Sequence, residues 1–377
     1  MTQQRSYDAI VIGLGAMGSA TLYHLARKGA RALGLEQFGP GHTNGSSHGD
    51  SRIIRETYFE HPLYVPLVQR AHQLWRELEQ TSGTSLMKIT GGLMIGPSGG
   101  MVVSGTLRSV GEHGLPHEIL TAREVSARFP AFHLGEDVVT ILDPRAGYLD
   151  PEACVRAHIA AAIAAGADAH FEEGVIDWSA ESTGVRVSTS SGDYTARRLI
   201  LCAGPWTQRL ARATGLRLTV ERQSVFWLDP GPSPEYESDR FPIYAYEFKP
   251  GTICYGFPRL PRGVKASVMH DGQTVADPDK VDRRVATSEV EPLRAALLPI
   301  LPGLATAPVR ETSVCLFTNT RDHDFVIDFH PDHRNVLISS PCSGHGFKFA
   351  SAIGELQAEL ALYGKTPFDL SPFAIGR

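Results

Sequence analysis

The stretch "YDAIVIGLGAMGSATLYHLARKG", residues 7–29, decides how the chain begins to fold. Its β-branched run Ile10–Ile12 predicts a strand, and apolar residues then recur at helical spacing. The glycine-rich segment between the two predicts a tight turn. The stretch "ARALGLEQF", residues 30–38, predicts a second strand. Together these segments predict a βαβ unit at the start of the chain.

The turn of this unit carries a dinucleotide-binding pattern. Gly13, Gly15 and Gly18 form G-x-G-x-x-G between a strand and a helix, and Glu36 lies at the end of the second strand. Gly13 allows the tight turn, Gly15 lets the backbone approach a pyrophosphate at the helix N-terminus, and Gly18 lets helix and strand pack closely. Glu36 can accept hydrogen bonds from ribose hydroxyls. A glycine-rich turn without a ligand is the alternative, and the pattern does not separate NAD from FAD.

The rest of the chain mixes helical and strand patterns. Periodicity predicts an amphipathic helix over 67–78, a helix from Pro151 to about 165 capped by Asp150, and a helix over about 288–298. Turn residues and alternation predict a hairpin around 191–193 that leads into a strand over 199–202, and a strand-rich region from 216 to about 272. The chain closes with a predicted strand, glycine-rich turn and helix. We therefore predict an α/β (α+β) protein. A nucleotide-binding domain is assembled from three separated segments, and a sheet-based domain is inserted twice.

Composition excludes several classes of protein. The 377 residues are 42% hydrophobic and 20% charged, and the net charge of −5 does not suggest a nucleic-acid-binding surface. The five scattered cysteines favour a reducing compartment over a disulfide framework. The N-terminal apolar run contains Asp8 and lacks a basic region or cleavage site. Since no apolar run is long enough to span a membrane, we expect a soluble cytoplasmic protein.

Three further stretches carry a family resemblance: "GPGHTNGSSHGDSRIIR" (39–55), "SVCLFTNTRDHDFVIDFHPDH" (313–333) and "SGHGFKFA" (343–350). With the glycine pattern, they resemble the monomeric sarcosine oxidase and N-methyltryptophan oxidase family of flavoproteins over essentially the whole chain. The resemblance implies a Rossmann-type FAD-binding domain (1–86, 143–216 and 318–377) and a mixed-sheet substrate domain (87–142 and 217–317). It also implies oxidation of the C–N bond of secondary amino acids, with FAD as hydride acceptor and O₂ as final acceptor, giving H₂O₂.

The resemblance makes Cys315 the covalent attachment point of FAD. An arbitrary cysteine in the apolar run "SVCLFTNT" would more often be a packing residue. Attachment requires a thiolate, which nearby basic groups favour. Cys342 is the competitor, and we interpret it as packing because the family motif does not place the linkage there.

Four cationic residues are candidates for the chemistry. By resemblance, Arg52 lies against the flavin, while Arg55 and Lys348 bind the substrate carboxylate, for which a guanidinium fork is well suited. Lys265 matches the family lysine that activates O₂, because a nearby cation stabilises superoxide. Exposed arginines and lysines are the plainer alternative at each position.

The remaining cofactor contacts follow from the motifs and the resemblance. We predict them at Ala16, Met17, Gln37, Thr43, Ser46, Ser47, Val175, Cys202, Gly204, Trp206, Gly344 and Gly346, and Lys348 is expected to touch the cofactor as well. Gly344 is also expected beside the substrate.

The substrate side of the site departs from the family pattern. The family commonly has a histidine four residues after the lysine, where this chain has Met269. His270 follows, and either a bulge brings His270 into the site or Met269 lines it. Phe317 and Cys254 stand where sarcosine oxidases carry tyrosines. Losing two phenols predicts a larger, less polar pocket, so we expect a bulkier N-methyl or cyclic amino acid as substrate.

We expect oxidation of a neutral amine without a strong general base, in a monomeric enzyme whose partners are a small amino acid and O₂. The rivals are a flavin dehydrogenase with another acceptor, a nicotinamide-dependent dehydrogenase and a non-catalytic flavin-binding protein. The pair His330 and His333 lacks a convincing third ligand, so we expect no metal site.

Overall fold

The computed structural model describes residues 6–181 and 183–377. In chain order, the strands are β1 (Ser6–Ile12), β2 (Ala32–Leu35), β3 (Arg52–Ile54), β4 (Met87–Ile89), β5 (Gly92–Gly96), β6 (Glu118–Leu120), β7 (Val139–Asp143), β8 (Gly147–Leu149), β9 (Asp168–His170), β10 (Val175–Glu181), β11 (Gly184–Thr189), β12 (Asp193–Leu201), β13 (Thr219–Leu228), β14 (Ile243–Lys249), β15 (Thr252–Leu260), β16 (Gly263–Val268), β17 (Gln273–Val275), β18 (Val309–Asn319), β19 (Val326–His330) and β20 (His333–Ser340). The α-helices are α1 (Ala16–Arg27), α2 (Val65–Ser82), α3 (Met101–His113), α4 (Ala122–Arg128), α5 (Pro151–Ala164), α6 (Thr207–Leu210), α7 (Glu291–Leu297), α8 (Pro302–Ala305) and α9 (Ala350–Tyr363).

The first sheet confirms the predicted βαβ unit. Strand β1 runs parallel to both β2 and β12, and β12 also pairs in parallel with β20. Ile12 is in register with Leu35 and with Leu201. The carboxyl ends of these three strands therefore meet at one edge of the sheet, where ligands bind in open α/β folds.

Helix α1 is buried by one helix from the middle and one from the end of the chain. It packs on α5 and α9, and a Cβ placed on Gly354 would lie 2.5 Å from the Cβ of Ala20. Close packing of α1 on α9 therefore depends on a residue more than 330 positions away in sequence. Asp150 caps α5 as predicted, accepting a hydrogen bond from the Ala153 amide at 2.8 Å.

The second sheet is mixed. Its strands follow the order β17-β13-β16-β15-β14-β5-β7-β6, and β18 pairs with β13. Strands β14 and β5 are parallel, whereas β13 and β18 form a long antiparallel pair in which Gln223 opposes Cys315. A small third sheet joins β3, β8 and β4. Thus the α/β architecture with a mixed sheet is confirmed.

The strands of the two large sheets alternate along the chain. Those of the first sheet fall in residues 6–35, 168–201 and 326–340, and those of the second in 92–143 and 219–319. This alternation supports the division into two interleaved domains, which we keep as a proposal.

The segment Arg52–Ile54 forms strand β3, which pairs with β8. One local prediction needs correction. The helix over 288–298 begins as a 3₁₀ turn at Thr287–Val290 before α7. Across the described ranges, the helices are too short or too polar to cross a bilayer.

Candidate active site

A cavity of about 430 Å³ lies between the two large sheets. Most of the predicted cofactor residues line it: Gly13, Gly15, Ala16, Met17, Glu36, Gln37, Ser46, Ser47, Arg52, Val175, Cys202, Gly204, Trp206, Cys315, Gly344, Gly346 and Lys348. Gly18 packs behind the turn instead. Thr43 is exposed, and its carbonyl oxygen accepts a hydrogen bond from Arg283 at 3.1 Å.

The glycine turn has the geometry that the sequence pattern requires. Gly13 has φ +87°, and a Cβ there would lie 2.6 Å from the Cys202 carbonyl oxygen. A Cβ on Gly18 would lie 1.7 Å from the Gly13 carbonyl oxygen, so only glycine fits. The amide of Ala16, at the start of α1, donates to Ser47 Oγ at 3.1 Å. The helix N-terminus faces the cavity and favours an anion.

Glu36 closes the same end of the cavity. Its carboxylate accepts hydrogen bonds from the amides of Leu14 at 2.8 Å and Phe38 at 3.0 Å. Burial raises its pKa although these amides oppose the effect. The cradle around Gly13, the helix N-terminus and this carboxylate fit the pyrophosphate and ribose of FAD.

Cys315 lies at the centre of the cavity wall formed by β18. It is 4% exposed, and its Sγ accepts a hydrogen bond from Arg52 Nη2 at 3.3 Å. Arg52 is itself held by the Ser46 and Ser51 carbonyl oxygens, each at 2.7 Å. Two other cysteines line the cavity, and burial raises the pKa of Cys202 to about 12 and that of Cys342 to about 11. Of these three cysteines, Cys315 has the guanidinium contact, which supports it as the candidate for attachment.

Arg55 and Lys348 come together in the cavity from opposite ends of the sequence. Arg55 is 3% and Lys348 5% exposed. Lys348 Nζ donates to the His345 carbonyl oxygen at 2.7 Å. Burial, and secondarily Arg55, lowers the pKa of Lys348 to about 7. Two buried cations beside a cavity form a site that a carboxylate would neutralise.

Two residues that contact Arg55, Glu60 and Tyr58, were not predicted from the sequence. The carboxylate of Glu60 accepts a hydrogen bond from Arg55 Nη2 at 2.5 Å. Burial would raise the pKa of Glu60, but Arg55, His345 and Lys348 outweigh it and hold the pKa below its usual value. The ring of Tyr58 lies under the Arg55 guanidinium, 4.2 Å from ring centroid to Cζ. An acidic residue five positions after Arg55 was the available signal for Glu60.

Lys265 is the most buried of the candidate cations, at 1% exposure. Its Nζ donates to the Gly49 and Ser51 carbonyl oxygens at 2.6 and 2.9 Å, and to Ser51 Oγ at 3.2 Å. Burial, followed by the charge of Arg52, lowers its pKa well below the usual value. Three acceptors match the three protons of an ammonium, so the backbone geometry favours the charged form that burial disfavours.

Of the two alternatives left open after β16, the geometry favours Met269. Met269 lines the cavity. His270 has φ +56°, and its Nδ1 lies 3.2 Å from the Glu221 carboxylate. Its ring packs against His323, with centroids 4.4 Å apart. Its imidazole is therefore directed at Glu221, and we leave His270 out of the site we propose below.

The expectation for Cys254 needs correction. Ile253, Tyr255 and Phe257 line the cavity, whereas Cys254 is fully buried in the core with Tyr244. Side chains alternate along a strand, so Cys254 is directed away from the cavity. The phenol of Tyr255 therefore remains at the site.

Phe317 lines the cavity as expected. A Cβ on Gly344 would lie 2.9 Å from Cε2 of Phe317, so glycine allows the phenyl ring to pack this close to the backbone. Other apolar residues of the wall are Val225, Ala245 and Met269. Ala245 was not singled out in the sequence, where nothing distinguishes it from a core alanine.

Comparisons with known proteins identify a family of flavoproteins. The family described as FAD dependent oxidoreductase matches residues 8–360. The monomeric sarcosine oxidase of Streptomyces avermitilis is 41% identical, over 98% of this chain and 97% of the relative. An N-methyl-L-tryptophan oxidase of Yersinia pestis is 33% identical, over 98% and 99%. The solved structure of NikD, described as an unusual amino acid oxidase essential for nikkomycin biosynthesis, superposes with a TM-score of 0.83 at 25% identity, covering 98% of each chain.

The fold and the site thus define a flavoenzyme, and the chain belongs to the family of FAD-dependent oxidoreductases. Within that family it belongs with the monomeric sarcosine oxidases and N-methyl-L-tryptophan oxidases, as the sequence motifs predict.

Proposed function

We propose that this protein is a FAD-dependent oxidase of secondary amino acids that carries FAD covalently on Cys315 and uses O₂ as acceptor. The observation that carries the proposal is the buried pair of cations, Arg55 and Lys348, in the same cavity as Cys315 and Lys265. The pair supports a substrate with a free carboxylate. The names of the relatives, which act on sarcosine and N-methyl-L-tryptophan, support an N-methylated amine.

When bound, FAD supplies a hydride acceptor for the C–N bond. The residues of this chain bind and orient the substrate. Arg55 and Lys348 anchor the carboxylate and hold the amine end near the wall that carries Cys315. The carboxylate of Glu60 is engaged by Arg55, and burial lowers the pKa of His345 to about 4. Neither group is placed as a strong base, so the substrate amine is oxidised in its neutral form. The rate of flavin reduction at saturating substrate therefore rises with pH as the bound amine loses its proton.

The apolar wall supports a substrate larger than sarcosine. The cavity is lined with apolar atoms by Val225, Ala245, Met269 and Phe317. An N-methyl amino acid with an apolar side chain, or a cyclic one, would bury that side chain there. Because Tyr255 keeps its phenol at the cavity, the small Ala245 and the apolar Phe317, rather than two lost hydroxyls, support the larger substrate.

Anaerobic bleaching of the bound flavin tests the proposal. We expect N-methyl hydrophobic amino acids and pipecolate to bleach it faster than sarcosine, and the N-methyl amines without a carboxylate to fail. Rapid bleaching by the decarboxylated amines would refute the role of the cation pair. A faster reaction with sarcosine would refute the enlarged pocket but leave the oxidase class intact.

A peroxide assay in air tests the acceptor. Formation of one H₂O₂ per substrate oxidised distinguishes an oxidase from a dehydrogenase. The monomeric state and cytoplasmic location stay predictions from the sequence.

A further inference from the structure

The aromatic ring of Tyr58 packs against both Arg55 and Lys348, the two cations proposed to bind the substrate carboxylate. It is fully buried. Its ring centroid lies 4.2 Å from Cζ of Arg55 and 5.2 Å from Nζ of Lys348. Two like charges in a buried site repel each other, and an aromatic face attracts both of them. The position of Tyr58 therefore affects both members of the pair at once.

The hydroxyl of Tyr58 is oriented by His345. Its Oη lies 2.5 Å from His345 Nδ1, while His345 Nε2 lies 3.0 Å from the His323 carbonyl oxygen. A carbonyl oxygen only accepts, so Nε2 carries the proton and donates it there. Burial lowers the pKa of His345 to about 4, so the ring is neutral and Nδ1 is an acceptor. Tyr58 must then donate its proton to His345.

This arrangement determines what Tyr58 offers to Lys348. With its proton committed to His345, the Tyr58 oxygen presents lone pairs to Lys348 Nζ at 3.5 Å, a long and weak hydrogen bond. The His345 carbonyl oxygen accepts a second hydrogen bond from Nζ at 2.7 Å. The charged groups facing Lys348 are Arg55 and Glu60. Both acceptors of the ammonium thus depend on His345, one through its backbone and one through Tyr58.

We propose that His345 is a positioning residue for the substrate carboxylate: by accepting the Tyr58 proton, it holds Tyr58 as an acceptor that keeps the Lys348 ammonium in place beside Arg55. The inference rests on the proposed function of Arg55 and Lys348. It adds a chain of hydrogen bonds that runs from the His323 backbone through His345 and Tyr58 to the ammonium.

The test is a titration of the holoenzyme with acetate at several pH values from 6 to 10. Binding is monitored through the change in flavin absorbance. Acetate reports carboxylate binding without any oxidation. Tyr58→Phe keeps the ring and removes one acceptor, and His345→Leu removes the group that orients the hydroxyl. We expect each variant to bind acetate about three- to tenfold more weakly. We also expect the pH above which affinity falls to move down by about half a unit, because Lys348 loses a group that stabilises its charge.

Three further variants distinguish a positioning role of Tyr58 and His345 from a general loosening of the aromatic cluster. Tyr64→Phe is the matched control, because Tyr64 is a fully buried tyrosine of the same aromatic cluster whose hydroxyl donates to Asp324 at 2.6 Å instead. His345→Asn restores an acceptor near the Nδ1 position and should recover part of the affinity. The double variant Tyr58→Phe/His345→Leu should bind acetate no more weakly than the weaker single variant, since the two residues act as one unit.

The outcomes distinguish this inference from the proposed function. If Lys348→Met binds acetate like the unmodified enzyme, the cation pair itself is refuted. If Lys348→Met loses binding while Tyr58→Phe and His345→Leu keep the affinity and pH profile unchanged, the positioning role alone is overturned. An equal loss in Tyr64→Phe also overturns it, because the effect would then be a general loosening of the cluster.

Discussion

Replacing Lys265 by methionine should slow the reaction with O₂ while leaving substrate oxidation nearly unchanged. The ammonium is 1% exposed, and three oxygen acceptors within 3.2 Å fix its position. It lies on β16 of the second sheet, and its hydrogen bonds are with Gly49 and Ser51 rather than with the cation pair that binds the carboxylate in our proposal. Its loss therefore removes a charge from the O₂ side of the site and leaves the substrate anchor in place.

The size of the effect follows from Coulomb's law. Transfer of one electron to O₂ creates a negative charge, and a cation about 4 Å away in a medium of effective dielectric near 20 stabilises it by about 4 kcal/mol. That corresponds to about a thousandfold in rate. At the dielectric of water, the same pair would gain only about 1 kcal/mol. The burial of Lys265 is the reason for using the larger value.

The measurement is the rate at which the reduced enzyme is reoxidised by O₂ in a stopped-flow experiment. Lys265→Gln should lose about as much as Lys265→Met, since both remove the charge and only glutamine can still donate to Gly49 and Ser51. Lys249→Met, an exposed lysine of the same sheet, is the control and should react normally. Since burial lowers the pKa of Lys265, reoxidation should slow as pH rises through that lowered pKa. Reoxidation of both neutral variants within tenfold of the unmodified enzyme would refute the reasoning.

Three other predictions concern cofactor, substrate and stability. Cys315→Ala should leave the yellow colour in the supernatant after acid precipitation, whereas Cys342→Ala should keep it in the pellet; the reverse pattern would move the attachment to Cys342. Ala245→Phe should lower kcat/KM for bulky N-methyl amino acids by tenfold or more, as overpacking by about 1–3 kcal/mol implies, and change that for sarcosine little. An equal loss of kcat/KM with both kinds of substrate would show that the substitution disturbs the whole site rather than only the space for a bulky side chain. Burial lowers the pKa of His24 to about 3 and that of His158 well below its usual value, so only the unfolded chain takes up protons below about pH 6.5. Urea unfolding should therefore show that the free energy of unfolding falls, as pH drops, by up to about 1.4 kcal/mol per pH unit for each of these histidines. His158→Gln should make this pH dependence less steep. An unchanged pH dependence in the variant would show that His158 does not contribute to it.

Sequence reasoning was most successful where structure is decided by near neighbours. The strand, turn and helix around Gly13 form as predicted, because the glycines relieve contacts within the turn and with the adjacent strand. The cap at Asp150 is equally local. The helices α3 and α4 were not predicted individually, because their region, 87–142, was assigned only to the sheet-based domain.

The candidate site was predicted in part. Arg52 and Cys315 are 263 residues apart, yet family motifs marked both, and the structure places them 3.3 Å apart. Tyr58 and His345 are 287 residues apart. Tyr58 lies outside the quoted motifs, and His345 lies within one of them but was given no role. Only the packing of the loop after β3 against the glycine-rich turn before α9 makes them partners.

By itself, the sequence determined the cofactor turn, the family and the cations that belong to the site, because these depend on residue types at fixed local spacings. The tertiary structure decided which side chains are directed into the cavity. A strand turns its side chains alternately to two faces, so a shift of one residue exchanges them. Pairing of β15 with β14 and β16 places Tyr255 rather than Cys254 at the cavity. The positive φ of His270 leaves Met269 there instead. Register and local backbone geometry are set by contacts between distant strands, which no local pattern records.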